Sequence, residues 1–260
     1  MRVIAVIPAR MASTRFPGKP LANICGLPML GHVFYRSKMS KLLNDVYFAT
    51  CDKDIANYAA SIGAKAIMTK DTHQRASDRC AEALLKIEVE TGKTVDVLVM
   101  IQGDEPMLQP VMLDELIRPV IENSKIAVTN LMAKIDSLEE FNNSNVVKVV
   151  VDEENYALYF SREPIPSKKK YSGKLPMRKQ LGFILFQRAA LLDYTGMDPT
   201  PLEIIESVDM NRFLEHGKKI KMVETSCRTF GVDVPQDITI VENFLKDDDL
   251  IERYLVNWPA

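Results

Sequence analysis

The sequence predicts an α/β fold: a mostly parallel central sheet with helices packed on it, followed by a β-rich second half. Three observations carry this expectation. Over about the first hundred residues, short apolar strands alternate with helix-length segments, the pattern of βαβ units. The runs Val3–Ile7 and Val95–Ile101 are apolar almost throughout, as strands covered on both faces must be. In the second half, β-branched stretches such as Val146–Val151 replace the alternation.

Taken in order, Val3–Ile7 is a strand that breaks at Pro8, and a helix follows over Pro28–Met39. Next come strand Asp45–Thr50, helix Asp52–Ile62, strand Ala66–Met68, helix Asp78–Glu90 and strand Val95–Ile101. Asp52, and Asp71 or Ser77, are placed to cap these helices. A helix is expected over Pro110–Glu122. Later come strands Val146–Val151 and Ala157–Phe160, a basic loop over Ser167–Lys179, strand Leu181–Phe186 and helix Ala189–Tyr194. One helix is expected over Glu203–His216, ended by Gly217, then strand Ile220–Val223 and helix Gln236–Leu245. No repeat, low-complexity tract or linker divides the chain. It is expected to be one catalytic domain over 1–260, with a β-rich portion at about 125–230.

Composition narrows the function. The 260 residues are 47% hydrophobic and 26% charged, with a formal net charge of -2. That charge gives no broad pull toward nucleic acid or an anionic membrane, so any anion site must be a local cluster. No stretch approaches the roughly 20 apolar residues of a membrane span, and the amino terminus lacks a secretory pattern. Cys25, Cys51, Cys80 and Cys227 form no CxxC pair and read as reduced, mostly buried thiols of a cytoplasmic protein. His32, His73 and His216 fit no zinc spacing. Met29, Met39, Met68 and Met100 read as core filler; Tyr254 is given no functional role, and Trp258, next to Pro259, reads as a packing anchor or dimer contact, with a ligand platform as the alternative.

Two strand ends carry chemistry. After the first strand, one loop collects Arg10, Ser13, Arg15, Gly18 and Lys19. Three cations at the carboxyl end of a sheet can gather around a di- or triphosphate, where open α/β folds bind ligands, and loop amides add donors. The competing reading is a solvated basic turn. The run VLVMIQGDEP ends a buried strand in Gln102-Gly103-Asp104-Glu105-Pro106. A carboxylate there suits a magnesium ion that carries nucleotide phosphates; the alternative is that Asp104 caps the following turn. Gly231-Val232-Asp233-Val234-Pro235-Gln236-Asp237 presents Asp233 just before a helix, as a second metal ligand or as a cap. The lysine run in SKKKYSGKLPMRK reads as a solvated loop, with anion binding as the alternative.

The segments IPARMASTRFPGKPL, IQGDEP, VVKVVVDEENYALYFSREPIPS, LGFILFQRAALLDY, TPLEIIES and FGVDVPQDI occur in the order found in cytidylyltransferases that make CMP-Kdo, the nucleotide-activated form of 3-deoxy-manno-octulosonate. The chain resembles that family over nearly its whole length. The resemblance implies a nucleotide-diphospho-sugar transferase fold, a three-layer sandwich, with CTP and magnesium as co-reactants and a homodimeric assembly. It places Arg10, Arg15 and Lys19, helped by Ser13, on the triphosphate. It places Ala9, Thr50, His73, Ser77, Arg79 and Gln102 at the nucleotide, and Asp104 and Asp233 on the metal. Lys148, Ser161, Arg162, Gln180, Gly182, Glu203, Glu206 and Arg212 fall on the acceptor side. The fork of Arg162 suits a carboxylate.

The chain departs from the family pattern at several points. The usual His-Gln-Ser-Gly-Thr-Glu/Asp-Arg is His73-Gln74-Arg75-Ala76-Ser77-Asp78-Arg79 here, and Ala-Thr-Asp is Ala49-Thr50-Cys51, with Asp52 one step later. The usual His-Ile/Leu-Gly is Gln180-Leu181-Gly182, and Leu-Glu-Gln-Leu-Arg is Val208-Asp209-Met210-Asn211-Arg212. The phosphate machinery is intact while acceptor-side residues differ. The expected acceptor is therefore Kdo, an amino or deoxy variant such as 8-amino-Kdo, or another sugar acid. Competing readings are a nucleotidyltransferase for a non-sugar acceptor such as a phosphonate, a glycosyltransferase on the same fold, and a binding module without turnover. Asp104-Glu105 is not the Asp-x-Asp of glycosyltransferases, and the retained carboxylates and cations argue against a mere binding module.

Overall fold

The computed structural model describes residues 1–12 and 16–255. The chain divides into two compact units, 1–114 joined by the chain from Arg228 onward, and 115–227.

The first unit opens with β1 (Val3–Pro8), a short hairpin of β2 (Asn23–Ile24) and β3 (Leu27–Pro28), and α1 (Met29–Lys38). Then come β4 (Asp45–Thr50), α2 (Lys53–Ser61), β5 (Lys65–Met68), α3 (Ala76–Thr91) and β6 (Val97–Ile101). Strands lie in the order β6-β1-β4-β5, every pairing parallel. Val3–Ile7 and Val97–Ile101 are buried throughout, so both faces of these strands are covered, as a parallel sheet requires. Gly103 shows how closely α1 packs on this layer: a Cβ there would lie 2.8 Å from Leu30 Cδ2. Helix α4 (Pro110–Glu122) carries the chain onward.

The second unit holds β7 (Val128–Lys134), α5 (Leu138–Asn142), β8 (Lys148–Val151), β9 (Ala157–Ser161), β10 (Arg178–Gln187), α6 (Arg188–Thr195), α7 (Pro201–Glu206), α8 (Met210–Glu215) and β11 (Lys221–Glu224). Strand β10 pairs antiparallel with β7 and β8, β8 antiparallel with β9, and β11 parallel with β7. The chain then returns to the first unit as α9 (Asp237–Leu245) and α10 (Asp249–Leu255).

Several expectations need correction. The single helix over Glu203–His216 is two, because Ser207 adopts a left-handed conformation (φ 51) that ends α7. Its start was written in the sequence: Thr200-Pro201-Leu202-Glu203 forms a capping box with proline in the first turn. The strand β7 and the helices α5 and α10 were not anticipated. Arg178 and Lys179 belong to β10 rather than to the basic loop. Helix α3 starts after Arg75, with neither Asp71 nor Ser77 at the cap. Of the four cysteines only Cys80 is buried. Met68 is 42% exposed on the outer strand β5, and Met39 is half-buried. Trp258 lies outside the described residues. Among the described residues no helix is long and apolar enough to cross a membrane.

Candidate active site

Strands β1, β4 and β6 are parallel, so their carboxyl ends share one edge of the first unit's sheet. The chain places β4 on one side of β1 and β6 on the other. That reversal at β1 is where open α/β sheets accept ligands.

Three loops leave this edge. In the first, Ala9 is buried and its N–H donates to Ala49 O at 2.9 Å, while Arg10 is exposed. The Met11 N–H donates to Asp52 Oδ2 at 2.8 Å. Asp52, expected as a helix cap, stands at the cap position of α2, but its side chain makes no cap bond and braces the cationic loop instead. Buried Thr50 supports it by accepting from Asp52 N–H at 3.0 Å. Ser13 and Arg15 lie outside the described residues. Gly18, at φ 74, turns the chain into a short 3-10 turn, Lys19–Leu21. There Lys19 Nζ lies 2.7 Å from Asp104 Oδ2 and 3.8 Å from Asp233 Oδ1.

The carboxylates meet because their backbones are joined. Val232 N–H donates to Asp104 O at 2.9 Å. Asp237 accepts from the N–H groups of Asp233 (2.7 Å) and Val234 (2.9 Å), which fixes the turn that enters the helix beginning at Asp237. Glu105 accepts from the Thr229 hydroxyl at 2.6 Å and ties the same two segments. Two carboxylates facing one ammonium fit a hard divalent cation that takes its remaining ligands from phosphate oxygens and water. Among the described residues no group of three or more His, Cys, Asp or Glu side chains is set to hold a metal, so phosphate would have to complete the shell.

The 73–79 segment also leans on a carboxylate. His73 Nε2 is hydrogen-bonded to Glu82 Oε2, which accepts from Lys70 N–H at 3.0 Å, and Lys86 Nζ lies 2.8 Å from Glu82 Oε1. Burial alone would raise the Glu82 carboxyl; the donors from Lys86, Lys70 and His73 outweigh it and hold it down at about 2. Ser77 is fully buried, and Arg79, also buried, donates to the Thr69 hydroxyl. Gln102 is exposed. A folded-state value below the ordinary 4.5 means stabilisation that is present above that pH and lost as pH falls toward 2. Glu82→Gln is therefore expected to be less stable than the parent at pH 6. The gap should close as pH approaches 2, read by denaturant unfolding at each pH.

The remaining candidates lie in the second unit and form their own network. Lys148 is fully buried and its ammonium donates to the carbonyls of Asn143 (2.9 Å), Val146 (2.7 Å) and Arg162. Burial pushes this lysine below its usual range. Arg162 spends its guanidinium on backbone: Nε on Glu206 O at 2.6 Å, the other nitrogens on Ser144 O and Ser207 O. Glu206 accepts from the hydroxyls of Tyr159 and Ser161, both at 2.8 Å, and from Arg162 N–H at 2.7 Å. Burial opposes its charge, but these donors hold its carboxyl below the ordinary range. Glu203 and Arg212 form a buried two-point pair, both bonds 2.6 Å, with the guanidinium 4.5 Å from the Tyr194 ring centre. Gln180 donates to buried Asn130 at 2.6 Å, and Gly182 is half-buried. The structure thus joins Lys148, Ser161, Arg162 and Glu206, and leaves Glu203–Arg212 and Gln180 as separate contacts.

Sequence reasoning missed Asp52, Glu82 and Asp237 as braces. Each acts on a partner's backbone or ring, which residue type alone does not reveal.

A parallel sheet with this loop arrangement, joined to a mixed-sheet second unit, defines a nucleotide-diphospho-sugar transferase type of α/β protein. A family model described as Cytidylyltransferase matches residues 4–220. The chain belongs to the cytidylyltransferase family, CTP-dependent nucleotidyltransferases. It is 42% identical over 248 residues to the 3-deoxy-manno-octulosonate cytidylyltransferase of Geobacter metallireducens, covering 92% of this chain and 95% of that one. Its counterpart in Geobacter sulfurreducens is 41% identical over 256 residues, covering 95% and 100%. A solved structure of CMP:2-keto-3-deoxy-manno-octonic acid synthetase complexed with CTP aligns with a TM-score of 0.87 at 33% identity, over 95% of this chain and 99% of that one.

Proposed function

We propose that this protein transfers CMP from CTP to a 3-deoxy-octulosonate-type sugar acid and releases pyrophosphate. The observation that carries this is the convergence of Lys19, Asp104 and Asp233 at the sheet edge. The acceptor hydroxyl attacks the α-phosphorus in line. The new O–P bond forms as the bond to the β-phosphate bridging oxygen breaks, and the hydroxyl proton passes to solvent. Arg10, Arg15 and Lys19, with Ser13, hold the triphosphate and balance charge on the leaving pyrophosphate. His73 and Gln102 face the nucleoside, while buried Ala9, Thr50, Ser77 and Arg79 hold the loops that seat it. Asp104 and Asp233 would hold a magnesium ion, which when bound supplies Lewis-acid stabilisation of the α-phosphate. Catalysis is positioning and charge neutralisation, with no covalent enzyme intermediate.

The stretch from about 125 to 230 carries acceptor recognition, through Ser161, Arg162, Gln180 and Gly182, with buried Lys148, Glu206 and the Glu203–Arg212 pair holding their segments in place. It also carries the dimer contact: Leu158, Ile204 and Ile205 are 61%, 63% and 74% exposed and offer apolar surface to a second copy. The reaction belongs in the cytoplasm, where CTP is made. A modified acceptor such as 8-amino-Kdo is a second reading. It is favoured by Gln180, whose amide stands where the family pattern has histidine and is fixed by Asn130.

The test is pyrophosphate release with each of CTP, UTP, GTP and ATP against Kdo, 8-amino-Kdo and a phosphonate. Release is expected with CTP and an octulosonate. Release only with the phosphonate, or none with any pair, overturns the proposal.

A further inference from the structure

A buried polar network in the first unit is bonded to the two segments that carry the carboxylates and bears on how they are held. Arg36 on α1 is fully buried. Its Nε donates to the Tyr254 hydroxyl at 2.9 Å, one terminal nitrogen to Leu108 O at 3.2 Å and the other to Asp248 Oδ2 at 2.8 Å. Asp248 also accepts from the Gln109 amide at 3.2 Å. Fully buried His32, one turn earlier on α1, bonds Ile24 O through Nε2 and the Tyr254 oxygen through Nδ1, both at 2.8 Å. A carbonyl only accepts, so Nε2 carries the proton, and the Tyr254 hydroxyl donates to Nδ1 while it accepts from Arg36. Burial pushes His32 down to about 4, which keeps its ring neutral at working pH.

The connections matter more than the individual bonds. One arm of Arg36 grips residue 108 in the segment that carries Asp104, where Leu108 N–H also closes a turn on Glu105 O. Its other arms grip Asp248 and Tyr254, at the far end of the segment that carries Asp233. Between them, Met107, Val232, Val241 and Leu245 share one apolar cluster with Ile24 and Met29. A single guanidinium therefore ties both carboxylate segments to one rigid helix.

We infer that Arg36, with Tyr254 and Asp248, is a positioning centre that sets the spacing of Asp104 and Asp233 and so the affinity of the metal-bearing site. This deepens the nucleotide-site reading above and rests on it. Groups bonded directly to metal ligands change metal affinity by about 10- to 100-fold when altered; this centre acts one step further out, through the backbone of residues 104–108 and 233–248, so the low end of that range is expected.

The experiment titrates manganese into the full-length protein with CTP present, by calorimetry, and separately titrates CTP in chelator. Tyr254→Phe keeps the ring and removes the hydroxyl. Asp248→Asn is the second variant, used if the first fails to fold. Manganese affinity is expected to fall about tenfold, with metal-free CTP affinity within twofold of the parent, because the cationic loop is untouched. kcat should fall with KM for CTP little changed. Unchanged manganese affinity, or an equal loss of metal-free CTP binding, overturns the inference while the nucleotide site stands. If the parent itself takes up neither CTP nor manganese, the nucleotide-site reading falls, and the inference with it.

Discussion

Asp104→Asn is expected to cut turnover about a hundred- to a thousandfold, the scale on which loss of one preorganised electrostatic contact to a transition state is felt. The substitution keeps shape and removes charge. Asp104 is part-exposed, and the hydrogen bond its side chain makes, to Lys19, is one an amide oxygen can still accept. Its backbone carbonyl, which joins it to Val232, is unaffected. Unfolding temperature should therefore stay within a few degrees of the parent. The measurement is kcat with CTP over a range of magnesium concentrations, beside a thermal melt. Near-parental kcat at low magnesium would remove Asp104 from the metal site. A collapsed melting temperature would mean that the carboxylate serves the fold.

Arg212→Met is expected to destabilise the protein by about 3–5 kcal/mol, because it strands the Glu203 carboxylate in the interior. The two side chains are 6% and 1% exposed and share two bonds of 2.6 Å, so water cannot replace the lost partner. The Tyr194 ring loses its stacked guanidinium as well. Removing both charges, as Glu203→Leu with Arg212→Met, should recover more than half of the loss, since a well-packed apolar pair carries no desolvation cost. The remainder reflects Glu203 as part of the capping box on Thr200. Urea unfolding of both variants decides. A single-variant loss below about 1 kcal/mol would show that the pair is solvated in practice.

The elements that were legible and those that were not differ for a physical reason. β1, β4, β6 and α4 were legible because their signal is local: apolar runs or periodic faces ended by proline, glycine or polar residues. β7 was missed because Thr129 and Asn130 interrupt its apolar pattern. In the fold both are fully buried and satisfied, Thr129 by Leu116 O and Asn130 by the carbonyls of Leu181 and Phe183. A polar pair with distant partners reads as a loop until those partners are known. The break at Ser207 needed a left-handed residue that no glycine announced.

The order of residues was enough to give the sheet class and the kinds of charge at its strand ends. It also determined, through the ordered motifs, the family. Those depend on which residues follow which along the chain. What each charge is used for depends on partners that folding brings in from far along the chain. Asp52, expected as a cap, reaches 41 positions back to Met11. Glu105, whose role its position beside Asp104 leaves open, accepts from the Thr229 hydroxyl, 124 positions away. Tyr254, given no role on residue type, turns out to be the shared partner of His32 and Arg36. A carboxylate or hydroxyl can serve many donors, and folding alone selects which one it meets.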